Sequence, residues 1–297
     1  MNFNDEIQSC PTSGSGVHSW IMRCANLAAK DGVQWNEAHD AITGRMTRKQ
    51  EPRNEVSSAL TKAYKEAGCK FRPNPCKDVP VREKIFHALT RECMDFRQVA
   101  ERSPVDVGSP YDLECQRANC LKLLRRLYWH GETVFLGERF QTKEGMRTVL
   151  AWCDYIEDGG HIPSQWVPNP FIGEAVDNDG KLSYRCDKAI ARRPFVVCES
   201  DRYPLDMQAG YWMTQTAFPL VALIYSGGKS LHAIIESRVK SEKEWEEKIE
   251  QSLFPHVLVP LGFDPQCRNE SRLSRSPGHF RVDKGQLQSL LWLRGAE

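Results

Sequence analysis

Long apolar runs are missing from this sequence: none approaches the roughly 20 residues that a membrane-spanning helix needs. The first ten residues, MNFNDEIQSC, contain acidic side chains and no apolar stretch, which excludes a secretory signal peptide. A charge excess is also missing, because the net charge is only +1 at pH 7. Positive charge for a nucleic-acid partner would therefore have to gather in one cleft. The cytoplasm is the expected location.

Closely spaced cysteine pairs are missing too, although the chain has 11 cysteines. None forms Cys-x-x-Cys, and the nearest pairs, Cys69 with Cys76 and Cys115 with Cys120, are too loosely spaced to assign a zinc site. We expect reduced, mostly buried thiols. No internal repeat is visible, so the 297 residues allow one large domain plus a smaller one.

Residues 1–70 predict a small helical module, because apolar residues recur at helical spacing after Trp20 and Trp35. The proline-rich residues 71–80 predict a linker. Within the module, the basic stretch 44–53 either contacts a template or initiating nucleotide, or is a solvated loop.

Residues 81–297 form the predicted larger domain, in which helix and strand patterns mix. Residues 112–129 predict a helix and residues 131–137 predict a strand. Residues 161–181 are rich in proline, glycine and asparagine, and they predict a surface loop.

The first chemical signal is the segment PFVVCESD at residues 194–201. Its apolar, β-rich start predicts a buried strand that ends in Glu199-Ser200-Asp201. Side chains alternate along a strand, so Glu199 and Asp201 are expected on one face. Neighbouring carboxylates repel unless a cation lies between them, and Mg²⁺ and Mn²⁺ prefer such oxygen ligands. Alone, the segment equally fits a strand that ends in a solvated acidic turn.

The second signal is the glycine turn SGGKS at residues 226–230, between two predicted strands. Such a turn can expose several backbone N–H groups around Lys229, which suits phosphate binding. A glycine hairpin with an exposed lysine is the alternative. A Walker P-loop is excluded, because Leu223 stands where its first glycine belongs and the β-branched residues after Ser230 predict a strand.

The third signal is the segment 261–282, in which one carboxylate precedes a dense group of basic residues. Such a density of positive charge suits a triphosphate or a DNA backbone, whereas each arginine alone fits a solvated loop. The carboxylate is Asp264, and the basic residues are Arg272, Arg275, His279 and Arg281.

Taken together and in this order, the three segments resemble the prim-pol branch of the archaeo-eukaryotic primase superfamily. The resemblance covers roughly residues 80–297 and implies an α+β fold. In that fold an RRM-like antiparallel sheet bears the carboxylates, joins an additional α/β unit and is preceded by the small helical domain. Residues 13–66 are similar to the helical modules that accompany such primases. The matching strings are CESD at 198–201, SGGKSLH at 226–232, GFD at 262–264 and RLSRSPGHFR at 272–281.

The resemblance implies that Glu199, Asp201 and Asp264 are catalytic and hold two divalent ions, Mg²⁺ or Mn²⁺. Glu199 stands where many of these primases have aspartate, which leaves the choice between the two metals open. A second set of residues is implied to contact the incoming nucleotide: Ser226, Lys229, Ser230, His232, Arg272, Arg275 and Arg281.

The implied function is template-dependent nucleotidyl transfer, by a DNA primase or a primer-extending DNA polymerase that uses two metals. The expected partners are a single-stranded DNA template and nucleoside triphosphates. These residues contain no helicase motor, so unwinding is expected to come from a partner, such as a replicative helicase, or from a longer parent chain. A mobile-element or phage setting is implied by the resemblance alone.

Two alternatives come from other classes of protein. One is a catalytically silent, primase-fold protein that binds DNA or a replication origin. The other is a rolling-circle nuclease, which needs two histidines around one apolar residue. His232 lies in Leu-His-Ala with no second histidine two residues away, so the sequence disfavours the nuclease.

Overall fold

The computed structural model describes residues 2–12, 16–50, 54–68, 75–77, 79–178 and 180–295. The chain divides into two compact units, Met1–Pro75 and Cys76–Glu297. One set of buried apolar side chains lies in the first unit, and two sets lie in the second. Half of the predicted linker at 71–80 falls outside the described residues, so its conformation stays a prediction.

The first unit is helical over its described residues, as the apolar spacing predicted. Trp20, Leu60 and Tyr64 lie in its core and are each at most 4% exposed. The indole N–H of Trp20 donates to the carbonyl of Glu6 at 3.0 Å, so the large apolar ring is buried without losing its hydrogen bond. The helices are α1 Phe3–Glu6, α2 Val17–Lys30, α3 Trp35–Arg45 and α4 Glu55–Glu66.

Helices and antiparallel strands are combined in the second unit, which confirms the α+β class. Side-chain caps explain where two of the helices begin. Asp112 accepts the N–H of Cys115 at 2.7 Å, and Thr148 accepts the N–H of Ala151 at 3.2 Å. Among the described residues of the chain, no helix is both long enough and apolar enough to cross a membrane. The helices are α5 Glu83–Leu89, α6 Phe96–Glu101, α7 Leu113–Leu127, α8 Val149–Glu157, α9 Leu205–Thr214 and α10 Glu242–Glu244, which continues into a π-helical segment at Trp245–Leu258.

The longer strands of the second unit form two four-stranded antiparallel sheets, with the orders β2-β1-β3-β9 and β12-β7-β8-β6. Two short hairpins, β4-β5 and β10-β11, complete the set. These labels denote β1 Thr133–Gly137, β2 Met146–Thr148, β3 Gln165–Phe171, β4 Val176–Asn178, β5 Lys181–Ser183, β6 Phe195–Glu199, β7 Leu220–Tyr225, β8 Leu231–Glu236, β9 Ser274–Arg275, β10 Phe280–Arg281, β11 Gln286–Leu287 and β12 Ser289–Leu293.

Strand β3 contradicts the surface loop expected over 161–181, because Trp166–Phe171 are buried within the first sheet. Pro168 and Pro170 are among the residues whose composition predicted a loop. They lie where the register with β1 is interrupted and beyond the two residues that pair with β9. Proline is tolerated at such places in a strand, since a ladder N–H is not needed there.

Asn169 connects the two sheets. It is 2% exposed, and its side chain both accepts the N–H and donates to the carbonyl of Phe195, each at 3.0 Å. The same amide donates to the carbonyl of Glu270 at 2.9 Å. Because Asn169 lies on β3 and Phe195 begins β6, this buried amide fixes the strand that carries the first carboxylate against the other sheet.

Candidate active site

Glu199 and Asp264 come together at the carboxyl end of β6. The apolar run before Glu199 is buried in the second sheet, and the strand ends at Glu199 itself. The backbone N–H of Asp264 donates to the carbonyl of Glu199 at 2.8 Å, so the two residues are joined through the main chain. Asp264 then caps a short 3₁₀ helix by accepting the N–H of Gln266 at 2.9 Å. Both carboxylates therefore have backbone positions fixed by hydrogen bonds.

Arg272 bridges these two carboxylates. One guanidinium nitrogen lies 2.8 Å from Asp264 Oδ2 and 3.2 Å from Glu199 Oε2. Burial opposes ionisation of Glu199, but positive charge nearby, from His232 when it is protonated and from Arg272, outweighs it, and the pKa of Glu199 lies below its usual value. Because arginine stays protonated, its contact keeps Glu199 an anion at neutral pH.

Asp201 lies beyond the strand that was expected to carry it. Because β6 ends at Glu199, the alternation of side chains along a strand does not extend to Asp201, which is exposed. Between them, Ser200 is buried and donates its hydroxyl to the carbonyl of Gly262 at 2.8 Å. Asp201 is still near enough to raise the pKa of His232 by its charge.

A thiol, Cys267, completes the group of possible metal ligands here. One ligand atom from each of Glu199, Asp264 and Cys267 lies within 4.8 Å of the others. Burial raises the pKa of Cys267 well above its ordinary value, so the group is a neutral thiol. Carboxylate oxygens suit Mg²⁺ or Mn²⁺, whereas a neutral sulfur does not. The oxygens of Glu199 and Asp264 therefore fit the expected metal, and Cys267 contributes packing.

His232 lies opposite Glu199 in the register of β6 with β8, and its Nε2 is 3.6 Å from Glu199 Oε2. Its Nδ1 is 3.2 Å from the hydroxyl oxygen of Ser274 on β9, the edge strand of the other sheet. Burial lowers the pKa of His232 to about 4, against the opposing charge of Glu199. At neutral pH the imidazole is uncharged, so it can offer a hydrogen bond but no net charge.

The turn between β7 and β8 lies beside this histidine, and two buried serines close it. The N–H of Ser226 donates to the carbonyl of Ser230 at 3.1 Å, and their hydroxyl oxygens are 3.3 Å apart. Gln208 holds the same turn, because it donates to the carbonyl of Lys229 at 3.1 Å. The serines are thus positioned to shape the turn, while Lys229 is exposed and has no ion pair or side-chain hydrogen bond within the described part of the chain.

Two arginines flank the turn. Arg281 packs over its glycines, since a Cβ on Gly227 would approach Arg281 Cδ to 3.0 Å, and it also pairs with Asp283 at 3.0 Å. Gly227 has φ +68°, a conformation that favours glycine. The side chain of Arg275 is half-buried, and it has no ion pair or hydrogen bond to any described residue. Burial and the charge of Arg281 lower its pKa, which marks a guanidinium short of negative charge.

The structure therefore gathers nearly all of the residues expected from the sequence around the end of β6 and the start of β8. Asp201 lies at the edge of this group, beyond the end of β6. Sequence reasoning missed Cys267, Ser274 and Gln208, which are ordinary residue types with no motif of their own; only the folded chain brings them to the site.

No protein-family model matches the chain, and no curated protein matches it in sequence. Among solved structures, the chain is similar to the AEP domain of the primase-polymerase (PrimPol) of cyanophage S-2L. The two are 20% identical, the match covers 63% of this chain and 94% of that domain, and the TM-score is 0.41. The expectation of a helicase partner finds no support in these comparisons.

Proposed function

We propose that the chain is a template-dependent nucleotidyltransferase, a DNA primase or primer-extending DNA polymerase. The observation that carries the proposal is that carboxylates able to bind a metal and cations able to bind phosphate lie together at the end of β6. The carboxylates of Glu199 and Asp264 converge there, and the turn with exposed Lys229 and the under-neutralised Arg275 lie beside them. Carboxylates that hold a metal and cations that hold a triphosphate are what phosphoryl transfer to a hydroxyl requires.

In this proposal Glu199 and Asp264 hold the divalent ions, with Asp201 as the third ligand. Mg²⁺ or Mn²⁺ bound there would lower the pKa of the attacking 3′-hydroxyl and neutralise the leaving pyrophosphate. The backbone hydrogen bond between Asp264 and Glu199 holds the two residues in place before substrate arrives, so less conformational entropy is lost when substrate binds.

The triphosphate is held by the turn and the two arginines. Lys229 supplies a point charge, and Arg275 and Arg281 supply planar guanidinium groups that can bind phosphate oxygens in pairs. Ser226 and Ser230 keep the turn closed through the contact between their hydroxyl groups. His232, neutral and buried, is a hydrogen-bonding group between the metal ligands and the turn.

A nucleotide-incorporation assay tests the proposal. Single-stranded DNA, with and without an annealed primer, is incubated with labelled nucleoside triphosphates and Mg²⁺ or Mn²⁺. We expect incorporation by the wild-type chain and a loss of at least 100-fold in Asp264→Asn, because one carboxylate charge is removed from the metal set. Asparagine can still accept the N–H of Gln266, so the 3₁₀ cap and the fold should survive.

Asp158→Asn is the matched control, because Asp158 is exposed and lies outside the site. It should keep wild-type activity. Near-normal incorporation by Asp264→Asn at equal metal would contradict the assignment of the carboxylates. Template binding without any incorporation by the wild-type chain would favour the catalytically silent, DNA-binding alternative.

A further inference from the structure

A second cluster of metal-ligating side chains lies away from the carboxylates of the candidate active site. It comprises Glu138, directly after β1, His161, in the segment before β3, and His279, directly before β10. One ligand atom from each of the three lies within 4.8 Å of the others. Two imidazoles and one carboxylate are a common ligand set for Zn²⁺ in proteins.

His279 is already oriented as a metal ligand. His279 Nδ1 is 2.9 Å from the carbonyl oxygen of Ile162. A carbonyl can only accept, so Nδ1 donates and Nε2 keeps its lone pair. This pattern, one imidazole nitrogen bonded to a backbone carbonyl and the other free, is how metal-ligating histidines are usually held.

The carboxylate is held in the same manner. Glu138 accepts the backbone N–H of Ser164 at 3.0 Å through Oε1, and the hydroxyl of Ser164 at 2.5 Å through Oε2. Each carboxylate oxygen retains a further lone pair for another partner. Hydrogen bonds that orient a ligating carboxylate are part of well-formed metal sites.

The backbone around His279 is closely packed, which favours a preformed site. Gly278, with φ +86°, packs so tightly that a Cβ there would approach Ile162 Cδ1 to 2.8 Å. His279 accepts the N–H of Gln288 at 2.9 Å through its carbonyl. His161 is exposed, and its ring already contacts that of His279, with the ring centroids 5.5 Å apart. Only a small movement is needed, since ligands of a tetrahedral Zn²⁺ lie about 3.4 Å apart.

We propose that Glu138, His161 and His279 form a Zn²⁺ site, with a water molecule as the fourth ligand. This site ties the end of β1 and the start of β3 to the turn that follows Arg275. The residue types separate it from the active site, because imidazole nitrogens favour Zn²⁺ over Mg²⁺, whereas paired carboxylates favour Mg²⁺ or Mn²⁺. The proposal stands independently of the proposed function.

To test the proposal, the full-length protein is stripped of bound metal, Mg²⁺ is added in excess, and Zn²⁺ is then titrated. Calorimetry measures Zn²⁺ binding, and thermal unfolding measures its effect on the Tm. We expect one equivalent of Zn²⁺ to bind and to raise the Tm, because a ligand that binds only the folded state stabilises it. His161→Ala should weaken Zn²⁺ binding at least tenfold and remove the rise in Tm. Because the side chain of His161 is exposed, this substitution should leave the fold intact, and the Tm without metal checks that.

His256→Ala is the matched control, because His256 is also exposed and lies on the π-helical segment. It should bind Zn²⁺ as the wild type does. Cys267→Ser tests whether Zn²⁺ binds instead at the cluster of Glu199, Asp264 and Cys267. We expect this variant to bind Zn²⁺ as the wild type does. With Co²⁺ as a probe, the wild type should show no thiolate charge-transfer absorption. Equal Zn²⁺ binding by His161→Ala and wild type, or its loss in Cys267→Ser, would overturn the proposal.

Discussion

Lys229 is an exposed cation at the tip of the turn between β7 and β8. Its own carbonyl accepts a hydrogen bond from Gln208, and the N–H of Ser226 donates to the carbonyl of Ser230 across the turn. We predict that Lys229→Ala raises the KM for the nucleoside triphosphate at least tenfold, because a charge-assisted contact to phosphate contributes about 1.5–3 kcal/mol. Nucleotide titrations on a primed template would measure the change. Lys240→Ala, an exposed lysine on another segment, should leave KM unchanged. A loss confined to template affinity would instead place the turn on the DNA path.

His232 makes the free energy of unfolding depend on pH. Its pKa is lowered from 6.5 to about 4 by burial, so the unfolded chain takes up this proton at a higher pH than the folded chain. The associated stability is therefore complete above pH 6.5 and is lost as the pH falls toward 4. Between pH 7 and pH 5 we expect a loss on the order of 2 kcal/mol from this residue.

Urea unfolding of wild type and His232→Gln at both pH values measures that loss. The variant lacks the titrating group, so its free energy of unfolding should fall less between pH 7 and pH 5 than that of the wild type. Groups away from His232 titrate alike in the two proteins, so the difference between the slopes reports the protonation of His232 together with its coupling to Glu199. Identical slopes would mean that the buried imidazole is protonated as easily as a free one.

At the scale of elements, the turn at Gly262 precedes Asp264 and packs tightly against its surroundings. Gly262 has φ +90°, and a Cβ there would approach the hydroxyl of Tyr203 to 2.7 Å. The ring of Tyr203 cannot easily move, because it stacks on Phe86 with centroids 3.8 Å apart. The segment that leads to Asp264 therefore packs tightly against the ring of Tyr203.

Gly262→Ala should lower the free energy of unfolding by about 1–3 kcal/mol more than Gly159→Ala, since only the first adds a steric clash. Gly159 has φ +86° and nothing within 4 Å of its added Cβ, so it controls for backbone strain alone. We also expect Gly262→Ala, but not Gly159→Ala, to lower nucleotide incorporation. Chemical unfolding and the incorporation assay measure the two effects, and equal losses would show that the packing against Tyr203 is soft.

At the scale of the whole molecule, the two units have separate apolar cores, and the candidate active site lies entirely in the second. We predict that residues 76–297 alone extend a preformed primer but synthesise less on an unprimed template. Initiation is the harder step, because two nucleotides must be positioned without a primer. Primed and unprimed assays on the truncated chain test this. Equal loss of both activities in a folded truncation would mean that the first unit supports the catalytic core.

The basic stretch of the first unit divides into two kinds of residue. Arg48 pairs with buried Glu55 at 2.7 Å, so it serves the helical core in addition to any outside contact. Lys49 is exposed. Charge reversal at Lys49 is therefore the cleaner probe of a template contact in this unit, whereas reversal at Arg48 would leave Glu55 without this partner. Arg53 lies outside the described residues.

The sequence by itself determined the elements with strong local patterns. The helical spacing at Trp20, the apolar run before Glu199 and the strand after Ser230 all fold as their patterns predict, because periodic burial leaves a direct mark on sequence. The motifs around Glu199, Lys229 and Asp264 likewise marked the segments that carry the candidate site. These signals are local, so a single segment suffices to detect them.

Only the tertiary structure decided which residues meet across long stretches of chain. Strand β3 was hidden by its prolines, which are harmless only because of where its neighbours pair. Arg272 became a bridge between Glu199 and Asp264, and His232 lost its charge, because burial and neighbours set these properties. Glu138 and His279 stand 141 residues apart in the sequence and within 4.8 Å in space. Such contacts depend on how sheets pack, and packing leaves no periodic signal in any one segment.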